Sequence, residues 1–147
     1  MIDRRQFIAT GAAALAATAA HAQAAFTSMF DGKTLDGWTK VGDTPVSVVD
    51  GVIQADKGTS FLVWKDEYAD FEMKADIWVS DDANSGIFVR STDKMKPSSK
   101  DGYEFNIFDK RPDPSYGTGA IVDLAKASVV QKAGGKWNTM ERSEEHT

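Results

Sequence analysis

The stretch DFEMKADIWVS, Asp70 to Ser80, alternates apolar and polar residues without a break. On an extended chain Phe71, Met73, Ala75, Ile77 and Val79 fall on one face, and Glu72, Lys74, Asp76 and Trp78 on the other. A helix would scatter that apolar set around its circumference. Only a strand with one face against a core buries it together. Shorter segments repeat the pattern. VSVVDGVIQA places two β-branched runs about Asp50-Gly51 and predicts a hairpin. SFLVW, NSGIFVRS and GYEFNIFD read as strands, AIV as a short one, and KWNTM as the start of another. Asp31-Gly32 and Asp36-Gly37 mark turns, and VDLAKASVV is the single helical candidate. No internal repeat and no domain boundary interrupts residues 25–147, so the expectation is one all-β domain, an antiparallel sandwich.

The first 24 residues do not fit that pattern. Arg4 and Arg5 precede Phe7 and Ile8, an Ala-rich apolar run follows, and Ala22-Gln23-Ala24 resembles a cleavage site. The apolar run is too short to cross about 30 Å of hydrocarbon. Residues 1–24 are therefore expected to be a signal peptide for twin-arginine export to the bacterial periplasm, with that export machinery as a partner. No stable membrane insertion is expected after its removal. The other end also departs: after Met140 the chain turns uniformly polar, in ERSEEHT. Residues 142–147 are expected to be foreign to the domain, and the sandwich to be incomplete at its C-terminus.

Composition excludes several chemistries. There is no cysteine, hence no disulfide and no thiolate chemistry. The two histidines, His21 and His146, fall in the signal segment and the tail, which leaves no Ser-His triad. Net charge is −5 with no basic block, which argues against nucleic acid as a partner. The acidic runs DEYAD and SDDANS offer oxygen ligands for Ca²⁺ and equally read as solvated turns. No other cofactor is expected.

Two strands carry polar residues where a sandwich would place few. In NSGIFVR, Asn84, Gly86, Phe88 and Arg90 share a face; in GYEFNIFD, Glu104, Asn106 and Phe108 do. Antiparallel pairing of these neighbours is expected to bring Arg90 close to Glu104. Asp109 falls on the core side unless a bulge turns it, or it caps a turn. The residues alone leave two readings open: a cross-strand ion pair on a solvated face, worth about 0–1 kcal/mol, or a site with a general base and a cation.

Taken in order, FDGKTLDGW, DGVIQA, DFEMKADIWVSDDANSGIFVRS, GYEFNIFD, GTGAIV and GGKWNTM resemble the 3-keto-disaccharide hydrolase domain family, in the concanavalin A-like lectin/glucanase superfamily. The likeness runs over about residues 26 to 140. It implies a two-sheet jelly roll with a sugar site on its concave face, and a chain that stops short of the family's last strands. It also implies chemistry: the ketone of a 3-keto-glycoside acidifies the C2 proton, a base removes it, and the glycosidic oxygen leaves from C1. On this resemblance Glu104 is the expected base, Arg90 the stabiliser of the oxyanion, and Asp109 a candidate acid. Asn106, Asn84 and Trp78 are expected to bind substrate. Where the family usually carries an aromatic after TGAI, this chain has Val122. Two alternatives stand beside this reading. One is a retaining glucanase, whose Glu-x-Asp-x-x-Glu signature EFNIFD partly matches. The other is a non-catalytic carbohydrate-binding module using Trp38, Trp64, Trp78 or Trp137.

Overall fold

The computed structural model describes residues 26–144. The signal segment expected at 1–24 lies outside them, as do residues 145–147. The elements are eight strands and one 3-10 turn: β1 Trp38–Gly42, β2 Val46–Val49, β3 Val52–Ala55, β4 Ser60–Trp64, β5 Phe71–Trp78, β6 Ser85–Val89, β7 Tyr103–Ile107, the turn Pro114–Tyr116, and β8 Trp137–Glu144. They pair antiparallel as β1–β4, β2–β3, β5–β8 and β6–β7. The fold is all-β and antiparallel. The continuous two-sheet order of a jelly roll is not traced among the described residues, which form four separate two-stranded ladders.

Local chemistry explains most of these elements. Asp50 and Gly51 both take left-handed backbone, φ 50° and 78°, the conformation a two-residue hairpin turn demands. Their turn sets Val49 opposite Val52. β5 alternates between half-buried and exposed along its whole length, as its sequence requires. Trp38 and Trp64 are direct cross-strand partners and meet edge to face at 5.1 Å. These two tryptophans are packing residues, and Gly37 leaves room for the second ring, which would lie 2.6 Å from any Cβ there.

Two ladders share the core. Phe105 and Ile107 of β7, Met140 of β8, and Ala133 are buried together, with Ile77, Val79, Ile87, Val89 and Ile121 packed against them. Among the described residues no ladder of hydrogen bonds joins β5–β8 to β6–β7; they meet through inward side chains, which is how layers of a sandwich pack. The segment 119–122 borders the free edge of β7. The Asn106 N–H donates to the Ala120 carbonyl at 2.9 Å and the Val122 N–H to the Glu104 carbonyl at 3.0 Å.

One expectation needs correction. VDLAKASVV is not helical: Ile121 and Ala125 form a tight bridge, and residues 126–130 are irregular. The Val122 N–H donates to the Glu104 carbonyl of β7, Ala125 bonds back to Ile121, and the Ala127 N–H donates to the Ser115 carbonyl at 2.8 Å; these partners override a weak local preference. β8 continues past Met140 and pairs with β5 as far as Phe71 opposite Glu144. Its polar residues find work: Glu141 bonds Lys74 across the ladder at 2.7 Å, and the Arg142 guanidinium covers the Phe105 ring at 4.9 Å. Among the described residues no helix is long and apolar enough to cross a membrane.

Ile107, 3 % exposed, sits at the centre of the shared core. Ile107→Ala is expected to lower stability by about 2–5 kcal/mol, read as a shift of the urea midpoint at constant slope.

Candidate functional site

The β6–β7 register places Ile87 opposite Phe105 on the core side, and Gly86 opposite Asn106 and Phe88 opposite Glu104 on the other. The polar residues of the two strands therefore do share one face. Across its second edge, β7 has Phe105 bridged to Ile121, which sets Val122 beside Glu104. Glu104 is thus flanked by Phe88 on one side and by Val122, 6 % exposed, on the other. Phe88 is itself held edge-on by Phe61 of β4 at 5.5 Å.

The Glu104 side chain lies over Gly86. A Cβ at position 86 would stand 2.8 Å from Glu104 Oε1 and 2.9 Å from its Cγ, closer than real side-chain carbons approach. Glycine is required here by the space the carboxylate occupies. Among the described residues no hydrogen bond reaches that carboxylate. Burial pushes its pKa above the ordinary glutamate value; the positive charge of Arg111 pulls the other way and Asp123 adds to the rise. A half-buried carboxylate with apolar flanks and free lone pairs is suited to taking a proton.

Arg111 and Asp123 come from the loops that follow β7 and the 119–122 edge. The Arg111 Nη2 donates to Asp123 Oδ1 at 3.2 Å. Neither belongs to a strand, so no periodicity flagged them. The only sequence signal was a basic pair directly after GYEFNIFD.

The other expected site residues are placed differently. Arg90 does not pair with Glu104. The strand ends at Val89, Arg90 turns left-handed at φ 58°, and its Nη2 donates to the Ala69 carbonyl at 2.6 Å. Asn106 is 1 % exposed and its amide donates to the Tyr116 carbonyl at 2.8 Å, so it anchors the loop over β7. Asp109 is a latch. Its carboxylate accepts from the Thr118 hydroxyl at 2.6 Å, from Ala133 N–H at 3.0 Å and from Gly134 N–H at 2.9 Å. Burial opposes its charge, but the bonds from Thr118, Gly134 and Ala133 outweigh that and hold its pKa below the usual range. A carboxyl so held does not carry a proton to donate. Trp78 is on the outward face of β5, opposite Trp137, in a different ladder from Glu104. Asn84 is exposed, just ahead of β6. Val122 is buried, so that position presents no exposed platform.

Among the described residues no group of three Asp, Glu or His side chains is placed to hold a metal ion. In the SDDANS run the Ser80 hydroxyl donates to Asp82 at 2.8 Å, and in the DEYAD run Glu67 pairs with Lys94 at 2.6 Å.

A sequence profile of the family described as 3-keto-alpha-glucoside-1,2-lyase-like domain matches residues 25–142. No curated protein and no solved structure matches the chain.

The Asp109 latch generates a pH-dependent expectation. Its folded-state pKa is lower than the unfolded value of about 3.8. The stability it adds is therefore present above that value and is lost as pH falls through the folded pKa. Asp109→Asn is expected to cost about 1.5–3 kcal/mol near neutral pH. Denaturation series at neutral pH and at about pH 3 should show the gap between the two proteins narrowing in acid.

Proposed function

The chain belongs to the 3-keto-alpha-glucoside-1,2-lyase-like domain family, and from that premise we propose that it cleaves the glycosidic bond of 3-keto-glycosides by elimination, with Glu104 as the base. The observation that supports this is the state of Glu104: half-buried, flanked by Phe88 and Val122, seated over Gly86, its carboxylate free of hydrogen bonds among the described residues.

The chemistry needs few groups. The C3 ketone acidifies the C2 proton, and Glu104 takes it; the C2–H electrons pass to the C3 oxygen as an enolate. The enolate re-forms the ketone, the C1–O bond breaks, and a C1–C2 double bond results. The leaving oxygen gains a proton, and water adds across the double bond, hydroxyl to C1 and hydrogen to C2. The sum is hydrolysis. A reaction that oxidises the C3 hydroxyl of a glycoside must supply this substrate. We place the protein in the bacterial periplasm after twin-arginine export, on the strength of the N-terminal segment.

The glucanase alternative loses support. Retaining glycosidases need two carboxyl groups about 5–5.5 Å apart; here the middle position is a buried amide, Asn106, and Asp109 is committed to the latch. A binding module has one observation in its favour. Trp78 and Trp137 are direct cross-strand partners, 52 % and 58 % exposed, and two such rings side by side suit a sugar face.

The test uses a 3-keto-glucoside with a chromogenic leaving group beside the unoxidised glucoside. Release is expected from the keto form alone, reduced about 10²–10⁴-fold by Glu104→Gln. Since Glu104 must be ionised to act, the acid limb of kcat/KM is expected above the ordinary glutamate value of about 4.5. Gly86→Ala is expected to push the Glu104 side chain, Cγ as well as carboxylate, off its seat and to lower kcat by up to about 10²-fold through that displacement. Release from both glucosides favours ordinary glycosidase chemistry. Release from neither, with sugar bound, favours the module.

A further inference from the structure

Removing the C2 proton puts negative charge on the C3 oxygen, and a base alone does not stabilise it. The cation expected for this task, Arg90, is directed to the Ala69 carbonyl beyond the end of β6. Connectivity brings a different one to the base. The Val122 N–H is bonded to the Glu104 carbonyl at 3.0 Å, so Asp123 is the next residue out from the base along the bordering edge. Asp123 takes left-handed backbone at φ 59°, uncommon for a residue with a side chain, and its carboxylate holds Arg111 at 3.2 Å. Arg111 comes from the loop directly after β7, the strand that carries Glu104.

We propose that Arg111, held beside Glu104 by Asp123, is the cation that receives the charge developing on the substrate's C3 oxygen. This rests on the keto-glycoside reading. Asp123 is the positioning residue. Its side chain is 76 % exposed, so its ion pair with Arg111 is well hydrated and is readily exchanged for an oxyanion that brings its own charge into the site. The guanidinium fork suits that exchange, since one N–H can stay on Asp123 while another turns to the substrate oxygen. The charged groups that act on Glu104 are these two, Arg111 lowering its pKa and Asp123 raising it.

The experiment measures release from the chromogenic 3-keto-glucoside by the full chain and by Arg111→Met, Arg111→Lys, Asp123→Asn and Arg90→Met. Arg111→Met is expected to lower kcat about 10²–10³-fold, the loss typical of one oxyanion donor, with a smaller change in KM. It should lose more than Arg90→Met. Removing the cation should also move the acid limb of kcat/KM to higher pH, a shift that lost packing would not cause. Arg111→Lys should keep the limb in place and recover part of kcat; Asp123→Asn should lower kcat modestly and move the limb slightly to lower pH. Should the methionine variant fail to fold, Arg111→Gln gives the same readings. Wild-type kcat and an unmoved limb in the Arg111 variants, or a larger loss in Arg90→Met, overturns the assignment alone. No release by the unsubstituted chain overturns the keto-glycoside reading and this assignment with it.

Discussion

The register of β6 against β7 governs this molecule. With Ile87 opposite Phe105, the inward side chains of both strands reach the core formed with Ile77, Ala133 and Met140. With Phe88 opposite Glu104, the Glu104 carboxylate faces the other way and lies over the only kind of residue that leaves it room, Gly86. Side chains alternate with period two, so a slip of one residue would bury Glu104 in the core and expel Phe105. Burying an unpaired carboxylate is costly, and so is exposing a large aromatic ring. Fold and site are therefore specified by the same constraint.

The polar residues around Glu104 divide the work in a way their spacing does not announce. Asn106, two residues on, fastens the Pro114–Tyr116 turn, and Asp109 draws the 133–134 backbone and Thr118 onto the end of β7. Asn138 grips the Ala133 carbonyl from β8 at 2.8 Å, so Ala133 is held from both sides. These contacts fix the loops at the end of β7. Polar groups that are satisfied internally serve as structure; among the described residues the Glu104 carboxylate on this face accepts no hydrogen bond, which suits it to the role proposed for it.

What the sequence shows and what it hides follow from range. Strict alternation in β5 and the Asp50-Gly51 turn are local, and both are found where the residues put them. The shared face of Gly86, Phe88, Glu104 and Asn106 was legible too, because β-strand period and neighbour pairing suffice to derive it. Arg90 was misplaced because its backbone turns left-handed one residue after the strand ends, which no alternation reveals. Arg111 and Asp123 were invisible for the same reason: loop residues meet only through the sheet that carries them. The extension of β8 through Arg142 looked too polar for a strand, yet a long side chain can cover Phe105 with its stem and guanidinium. Family resemblance named the chemistry, and the site proposed for it is built from Glu104, Gly86, Arg111 and Asp123.

The central claim is that Glu104 removes the C2 proton of a 3-keto-glycoside. The most direct measurement is the turnover of a substrate carrying deuterium at C2 against the same substrate carrying hydrogen, in the unsubstituted chain and in Glu104→Gln. A slower reaction of the deuterated substrate, with turnover lost in the glutamine variant, is the predicted result. Equal rates for the two isotopes with a glutamine variant as active as the parent would contradict the account.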